Sequence, residues 1–215
     1  MNLTQYQTLV FDCDGVVLNS NKVKTEAFFK AALPYGEAAA QKLVDYHVSR
    51  GGISRYKKFE WFVQEVVAGK SGPDLPQLLA TYANEVRHGL LTCEIATGLA
   101  ELRANTQHCT WLIVSGGDQQ ELREVFAKRG LDHFFDGGIF GSPDSKDSIL
   151  AREIALSNIT KPALFLGDSQ YDHRVATTAC LDFVFLSGWS EVEDYEVWCL
   201  AKNIKLEKNI KGLCL

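Results

Sequence analysis

Four short apolar runs punctuate the chain, and each ends abruptly in small or acidic residues. They are Thr8-Leu9-Val10-Phe11, Trp111-Leu112-Ile113-Val114, Ala163-Leu164-Phe165-Leu166 and Phe183-Val184-Phe185-Leu186. None alternates apolar with polar positions, and branched or aromatic side chains dominate. A strand buried on both faces has this pattern, as in a parallel sheet, because neither face meets water. Gly138-Ile139-Phe140 adds a shorter extended stretch. Between the runs, apolar positions recur at helical spacing. Leu122, Val125 and Phe126 share one face of a helix expected over 119–129, with Gly130 as its stop. A second helix is expected over 148–156. Strand–helix alternation implies an α/β fold, a Rossmann-like three-layer sandwich around a central parallel sheet.

The stretch 19–92 has a different rhythm. Helical periodicity runs nearly throughout, as in Phe59, Phe62, Val63, Val66 and Val67. It is broken at Pro34-Tyr35-Gly36, Gly51-Gly52 and Gly72-Pro73, with no buried-strand pattern. An all-helical insert is therefore expected there. The core domain comprises 1–18 and 93–215, and the helical cap domain 19–92.

Composition narrows the function without choosing it. The chain has 215 residues, 46% hydrophobic and 23% charged, as a folded globular protein does. A net charge of −5 offers no basic face for nucleic acid. Apolar runs are too short to cross a membrane, and the N-terminus lacks a signal-peptide pattern, so a cytoplasmic location is expected. Cys13, Cys93, Cys109, Cys180, Cys199 and Cys214 are scattered without a C-x-x-C pair. Buried free thiols are expected, rather than disulfides or a zinc site.

Ligands of open α/β sheets bind beyond the carboxyl ends of the strands. After the first run come Asp12, Asp14 and Gly15; after the second, Ser115, Gly116 and Gly117; after the third, Asp168, Ser169 and Asp172. Crowded carboxylates repel and raise one another's pKa values, and a hard divalent cation removes the conflict. Oxygen ligands suit Mg2+, and Mg2+ in turn suits a phosphoryl group. Lys146, opening a helix after the 138–140 stretch, can reach the same edge and neutralise the remaining charge. Each element alone also has a structural reading: Asp12 to Gly15 a turn, Ser115-Gly116-Gly117 a tight strand-to-helix turn, Asp168 an N-cap and Asp172 a first-turn acid.

As an ordered set, Asp12-Cys13-Asp14-Gly15-Val16-Val17, Ser115-Gly116-Gly117, Lys146 and Gly167-Asp168-Ser169-Gln170-Tyr171-Asp172 resembles the four motifs of the haloacid dehalogenase-like superfamily. The resemblance is to the branch with a helical cap after the first strand, which includes phosphoglycolate phosphatases and β-phosphoglucomutases. It implies Asp12 as nucleophile and Asp14 as acid and base. It implies Mg2+ held by the Asp12 carboxylate, the Asp14 carbonyl and Asp168, with Asp172 as ligand or support. Ser115, the Gly116 amide and Lys146 would hold phosphoryl oxygens. Relatives that cleave carbon–halogen or carbon–phosphorus bonds lack the second aspartate, so Asp14 favours phosphoryl transfer. Many relatives carry Asp where this chain has Asn19.

The cap turn Arg50-Gly51-Gly52, with Ser54, Arg55 and Lys58, is either a solvated cationic turn or a substrate-recognition element. The string from His47 to Phe59 resembles superfamily members of bacterial surface-polysaccharide biosynthesis. A small-molecule phosphomonoester is thus the expected partner: a sugar phosphate, or a phosphorylated polyol or amino alcohol. The alternatives are a phosphosugar mutase built on the same residues and a catalytically silent binding protein of the same fold.

Overall fold

Each apolar run becomes a strand, and the order in which they pair places the acidic residues together. The computed structural model describes residues 2–214. In chain order, β1 (Thr8–Phe11) is followed by four helices, α1 (Asn21–Ala32), α2 (Glu37–Ser49), α3 (Arg55–Trp61) and α4 (Leu75–Thr92). Then come α5 (Leu99–Asn105), β2 (Thr110–Asp118), α6 (Gln119–Lys128), β3 (Gly138–Ser142), α7 (Lys146–Ala155), β4 (Ala163–Gly167), α8 (Gln170–Thr178), β5 (Asp182–Leu186), α9 (Tyr195–Lys202) and β6 (Lys205–Glu207). The sheet is parallel, in the order β3-β2-β1-β4-β5-β6. The central strand is β1, with Val10 opposite both Leu112 and Phe165.

Successive side chains of a strand point to opposite faces. Leu9, Phe11, Trp111, Ile113, Leu164 and Leu166 pack on Leu102 of α5 and on Leu122 and Phe126 of α6. Val10, Leu112, Val114 and Phe165 pack on Ile149 and Leu150 of α7 and on Val175 and Ala176 of α8. Helices thus cover both faces, which is why the strand runs carry no polar alternation.

The four helices after β1 share their own aromatic centre. Phe28, Phe59 and Tyr82 lie ring to ring with centroids 4.4–5.8 Å apart. A capping box starts α4: Asp74 Oδ1 accepts from Gln77 N at 2.9 Å and Gln77 Oε1 accepts from Asp74 N at 2.9 Å. The helical periodicity of Phe59 to Val67 divides into α3 and a wider turn over Phe62–Val66. The chain leaves the sheet at Leu18 and returns at Ile95, the two joined by an antiparallel bridge.

Several expectations need correction. β2 extends four residues past its apolar run, so Ser115, Gly116 and Gly117 lie within the strand, where its pairing with β3 becomes irregular between Val114 and Asp118. α7 begins at Lys146, the residue expected to open a helix, and so two residues before the periodic stretch from 148; Ser145 caps it, its Oγ accepting from Ser148 N. Ser169, not Asp168, caps α8. All six thiols are free, but Cys180 is exposed: it stands in the left-handed turn after α8, at φ 54°. The edge strand β6, Lys205-Leu206-Glu207, carries two charges and no apolar run, so the hydrophobic pattern did not announce it.

Phe126 is fully buried and meets Phe135 edge-on at 5.5 Å, whereas Leu200 on α9 is exposed. Phe126→Ala is expected to cost about 3–5 kcal/mol in urea unfolding, and Leu200→Ala no more than about 0.5 kcal/mol.

Candidate active site

The carboxyl ends of β1 and β4 lie side by side, so Asp12 and Asp168 face one another across them. Asp12 N donates to Leu166 O at 2.9 Å, continuing the pairing of the two strands. Lys146, at the first position of α7, reaches this edge with its side chain 1% exposed. Its Nζ lies 2.9 Å from Asp12 Oδ1 and 2.5 Å from Asp172 Oδ1. Asp172 Oδ2 accepts from Ser169 Oγ at 2.6 Å and from Ser169 N at 3.2 Å, closing a capping box on α8. The first-turn acid of α8 is therefore also the far end of a buried ion triad. Burial depresses a lysine, but Asp12 and Asp172 more than offset it and hold Lys146 above its usual range.

Asp14 is held separately. Ser20 Oγ donates to its Oδ1 at 2.6 Å, and Lys24 of α1 forms an ion pair with its Oδ2. Burial pushes the Asp14 carboxyl up, but Lys24 and the hydrogen bond from Ser20 outweigh it, so Asp14 sits below the usual carboxylate range. Asp168 Oδ2 accepts from Asn21 Nδ2 at 2.8 Å, and Asn21 also donates to Trp189 O at 2.8 Å. Gly15 makes this packing feasible: its φ is +74°, and a Cβ there would fall 1.9 Å from Asp168 Oδ2.

Asp12, Asp168 and Asp172 each offer a carboxylate oxygen within 4.8 Å of the others. Burial, with Asp172 and Asp14 nearby, pushes Asp12 up to about 7 despite Lys146. Asp168 is pushed well up by burial, then by Asp12 and Asp172. Two anions crowded in this way are short of positive charge. Both oxygens of Asp172 are occupied, by Lys146 and Ser169. Asp12 Oδ2 and Asp168 Oδ1, by contrast, accept no hydrogen bond among the described residues. The donor set, oxygen only, fits a hard divalent cation such as Mg2+, held by Asp12 and Asp168 with Asp172 supporting from behind.

Ser115 is fully buried, and its Oγ accepts from Gly117 N at 3.0 Å. Gly116 lies in direct contact with the helical insert: a Cβ there would meet Gly52 O at 2.3 Å. Gly52, with φ +79°, presses its Cα face towards Tyr171, Ser169 and Lys146; a Cβ would lie 3.6 Å from Lys146 Nζ. The turn between α2 and α3 thus sits over the strand ends. Beneath it is a cavity of about 60 Å³ lined by Asp12, Asp14 and Asp168 below and by Lys24, His47 and Lys58 of the helices above.

The residues expected from the cap turn separate. Gly51 and Gly52 line the cavity. Arg55 also lines it, but its guanidinium pairs with Glu121 of α6 and covers the Tyr82 ring at 4.6 Å. Arg50 is exposed, lies over the Tyr46 ring at 5.0 Å and faces a cleft outside. Asn21, Lys24, His47 and Glu191 line the cavity without having been picked out in the sequence. Their partners are distant in sequence or lie on helices, where a lone polar residue leaves no local signature.

A family model of haloacid dehalogenase-like hydrolases matches residues 6–179. Among solved structures, a predicted phosphoglycolate phosphatase from Haemophilus somnus superposes with a TM-score of 0.74 at 18% identity, over 99% of this chain and 98% of that one. CbbY from Rhodobacter sphaeroides, in complex with phosphate, gives a TM-score of 0.70 at 17% identity, over 98% and 100%. A β-phosphoglucomutase candidate from Thermotoga maritima gives 0.66 at 17% identity, over 96% of each chain. No curated protein sequence matches the chain. At such identities the structures speak for the fold, but the family model spans most of the sequence and both strand ends that carry the acidic cluster. The chain belongs to the haloacid dehalogenase-like hydrolase family.

Proposed function

We propose that this protein is an Mg2+-dependent phosphatase that hydrolyses a small phosphomonoester through a phosphoryl group carried on Asp12. The observation that supports it best is the triad Asp12–Lys146–Asp172 beside Asp168, at the ends of adjacent parallel strands. Asp12 Oδ2 is the oxygen free to attack phosphorus; as its bond to phosphorus forms, the bond to the leaving oxygen breaks. Asp14 gives that oxygen its proton. In the second half Asp14 takes a proton from water, the water oxygen bonds to phosphorus and Asp12 is released. Bound Mg2+ would neutralise the phosphoryl oxygens and bring them to Asp12. Lys146 holds the nucleophile in place, and Ser115 O–H has no acceptor among the described residues, although Ser115 is fully buried and does not line the cavity.

Lys24 fits both halves of this cycle. It keeps Asp14 ionised at rest, the form that accepts a proton from water. A phosphoryl dianion bound nearby raises the Asp14 pKa by like-charge repulsion, favouring the protonated form that the first half needs. The helices over the cavity act as a cap, held by Arg55–Glu121 and by Tyr56 Oη donating to Asp118 at 2.8 Å. Closure excludes water from the phosphoryl group.

The six free thiols suit a reducing, cytoplasmic setting, and among the described residues no helix is long and apolar enough to cross a membrane. A sugar phosphate, or a phosphorylated polyol or amino alcohol of surface-polysaccharide biosynthesis, is the substrate class of this reading. A phosphosugar mutase is the second reading, supported by the likeness to the Thermotoga maritima structure. Phosphate release without a bisphosphate activator separates the two.

With p-nitrophenyl phosphate and Mg2+, Asp12→Asn is expected to lower kcat by about a thousandfold or more, and EDTA to abolish turnover until Mg2+ is restored. Activity surviving both would contradict the mechanism. Because Asp14 is held below its ordinary pKa, the stability that it draws from Lys24 is present above the unfolded carboxylate pKa and is lost as pH falls through the folded one. Lys24→Met is therefore expected to cost about 3–5 kcal/mol in urea unfolding at pH 7, and progressively less in acid, where Asp14 is protonated and needs no partner.

A further inference from the structure

Three side chains that line the cavity carry cationic groups, and two of them are matched. Lys24 pairs with Asp14, and Arg55 with Glu121. Lys58, on α3, makes no ion pair among the described residues, yet it is 1% exposed. Its Nζ lies 2.7 Å from His47 Nδ1 and 3.4 Å from His47 O, and 5.6 Å from the centre of the Phe28 ring. Burial, then the nearby Lys24, push Lys58 down to about 7, as expected of an amine short of counter-charge. Glu191 also lines the cavity, accepting from Thr25 Oγ1 at 3.2 Å, but it forms no ion pair with Lys58.

His47 completes the feature. Burial, then Lys58, hold it well below its ordinary pKa, so the ring is neutral. With Nδ1 facing the Lys58 amine as acceptor, the ring proton belongs on Nε2. Among the described residues Nε2 is the buried polar side-chain atom with no partner. Among the described residues Lys58 Nζ therefore has no hydrogen-bond partner but His47, and His47 Nε2 has an N–H with no acceptor to receive it. Buried donors in that condition call for an acceptor from outside the chain.

We propose that Lys58 and His47 recognise a second anionic group, carried on the leaving alcohol of the phosphomonoester. The proposal rests on the phosphatase reading for the other end of the substrate. Asp12, at the end of β1, and Lys58, on α3, line the same cavity, so a compact molecule with a phosphoryl group at one end and a carboxylate or second phosphate at the other matches it. The same donors disfavour an amino alcohol, whose ammonium would face Lys58.

The test uses the full-length Asp12→Asn protein with Mg2+, titrated calorimetrically with three ligands. Glycerol 3-phosphate is the neutral reference, 3-phosphoglycerate carries a carboxylate, and propane-1,3-diol bisphosphate carries a second phosphate. A charge-assisted contact of this kind predicts that one or both anionic ligands bind at least about tenfold more tightly than the reference. Which of them does so identifies the anion. Adding Lys58→Met should reduce the preference to within about threefold, with His47→Phe as a second variant that removes Nε2 but keeps a ring against Phe28. Equal affinity for all three ligands, or a preference unchanged in both variants, would overturn the proposal; the comparison in the parent protein stands even if a variant fails to fold. Phosphate release by the wild type from the same compounds keeps the two readings distinct. Hydrolysis without an anionic preference sinks the Lys58–His47 pair alone, and a preference in binding with no hydrolysis sinks the phosphatase reading alone.

Discussion

The ammonium of Lys146, buried between Asp12 and Asp172, is the constraint on which the site depends. Three segments far apart in sequence meet at that nitrogen: the end of β1, the start of α7 and the first turn of α8. Each is delivered by the parallel sheet, with β1 at its centre and β4 paired to it in register. Removing one partner from a buried ion pair typically costs about 3–5 kcal/mol, because it strands the remaining charge. Fold and chemistry therefore share this cluster. The charge it leaves unmatched, on Asp12 Oδ2 and Asp168 Oδ1, is where a divalent cation and a phosphoryl group would add what is missing.

Asp12, Asp14 and Asp168 could be picked out because each lies within three residues of the end of an apolar run, where an open α/β sheet places its ligands. Lys146 was legible through its position opening a helix. What the sequence concealed is how these groups are partnered. Lys24 on Asp14 and Asn21 on Asp168 belong to α1, whose pattern reads only as helix. Gly116 and Gly117 read as a turn, but the structure keeps them in β2, where pairing with β3 tolerates an irregularity that the apolar pattern does not encode. Arg55 looked like an anion binder from its neighbourhood in the sequence; its partner, Glu121, lies 66 residues away on the sheet side. Lys58 belongs to the cationic cap turn that the sequence points to, but only the fold shows it buried against His47.

The glycines of the cap turn and of β2 make the two layers meet. Gly52 adopts a left-handed conformation that disfavours other residues, and Gly116 leaves no side chain between its own backbone and the Gly52 carbonyl. Backbone can thus approach backbone directly above the acidic cluster, and the space left over is small. On the proposed function, that closeness would tie specificity to α2 and α3, with the chemistry at the strand ends.

The central claim is that Asp12 carries the phosphoryl group. Acid quenching of a single turnover, followed by mass spectrometry of the digested protein, tests it most directly. The account predicts one added phosphoryl group on the peptide containing Asp12, released by hydroxylamine as an acyl phosphate would be. Turnover with no phosphorylated peptide under conditions that trap an acyl phosphate, or a phosphoryl group on any other residue, would contradict it.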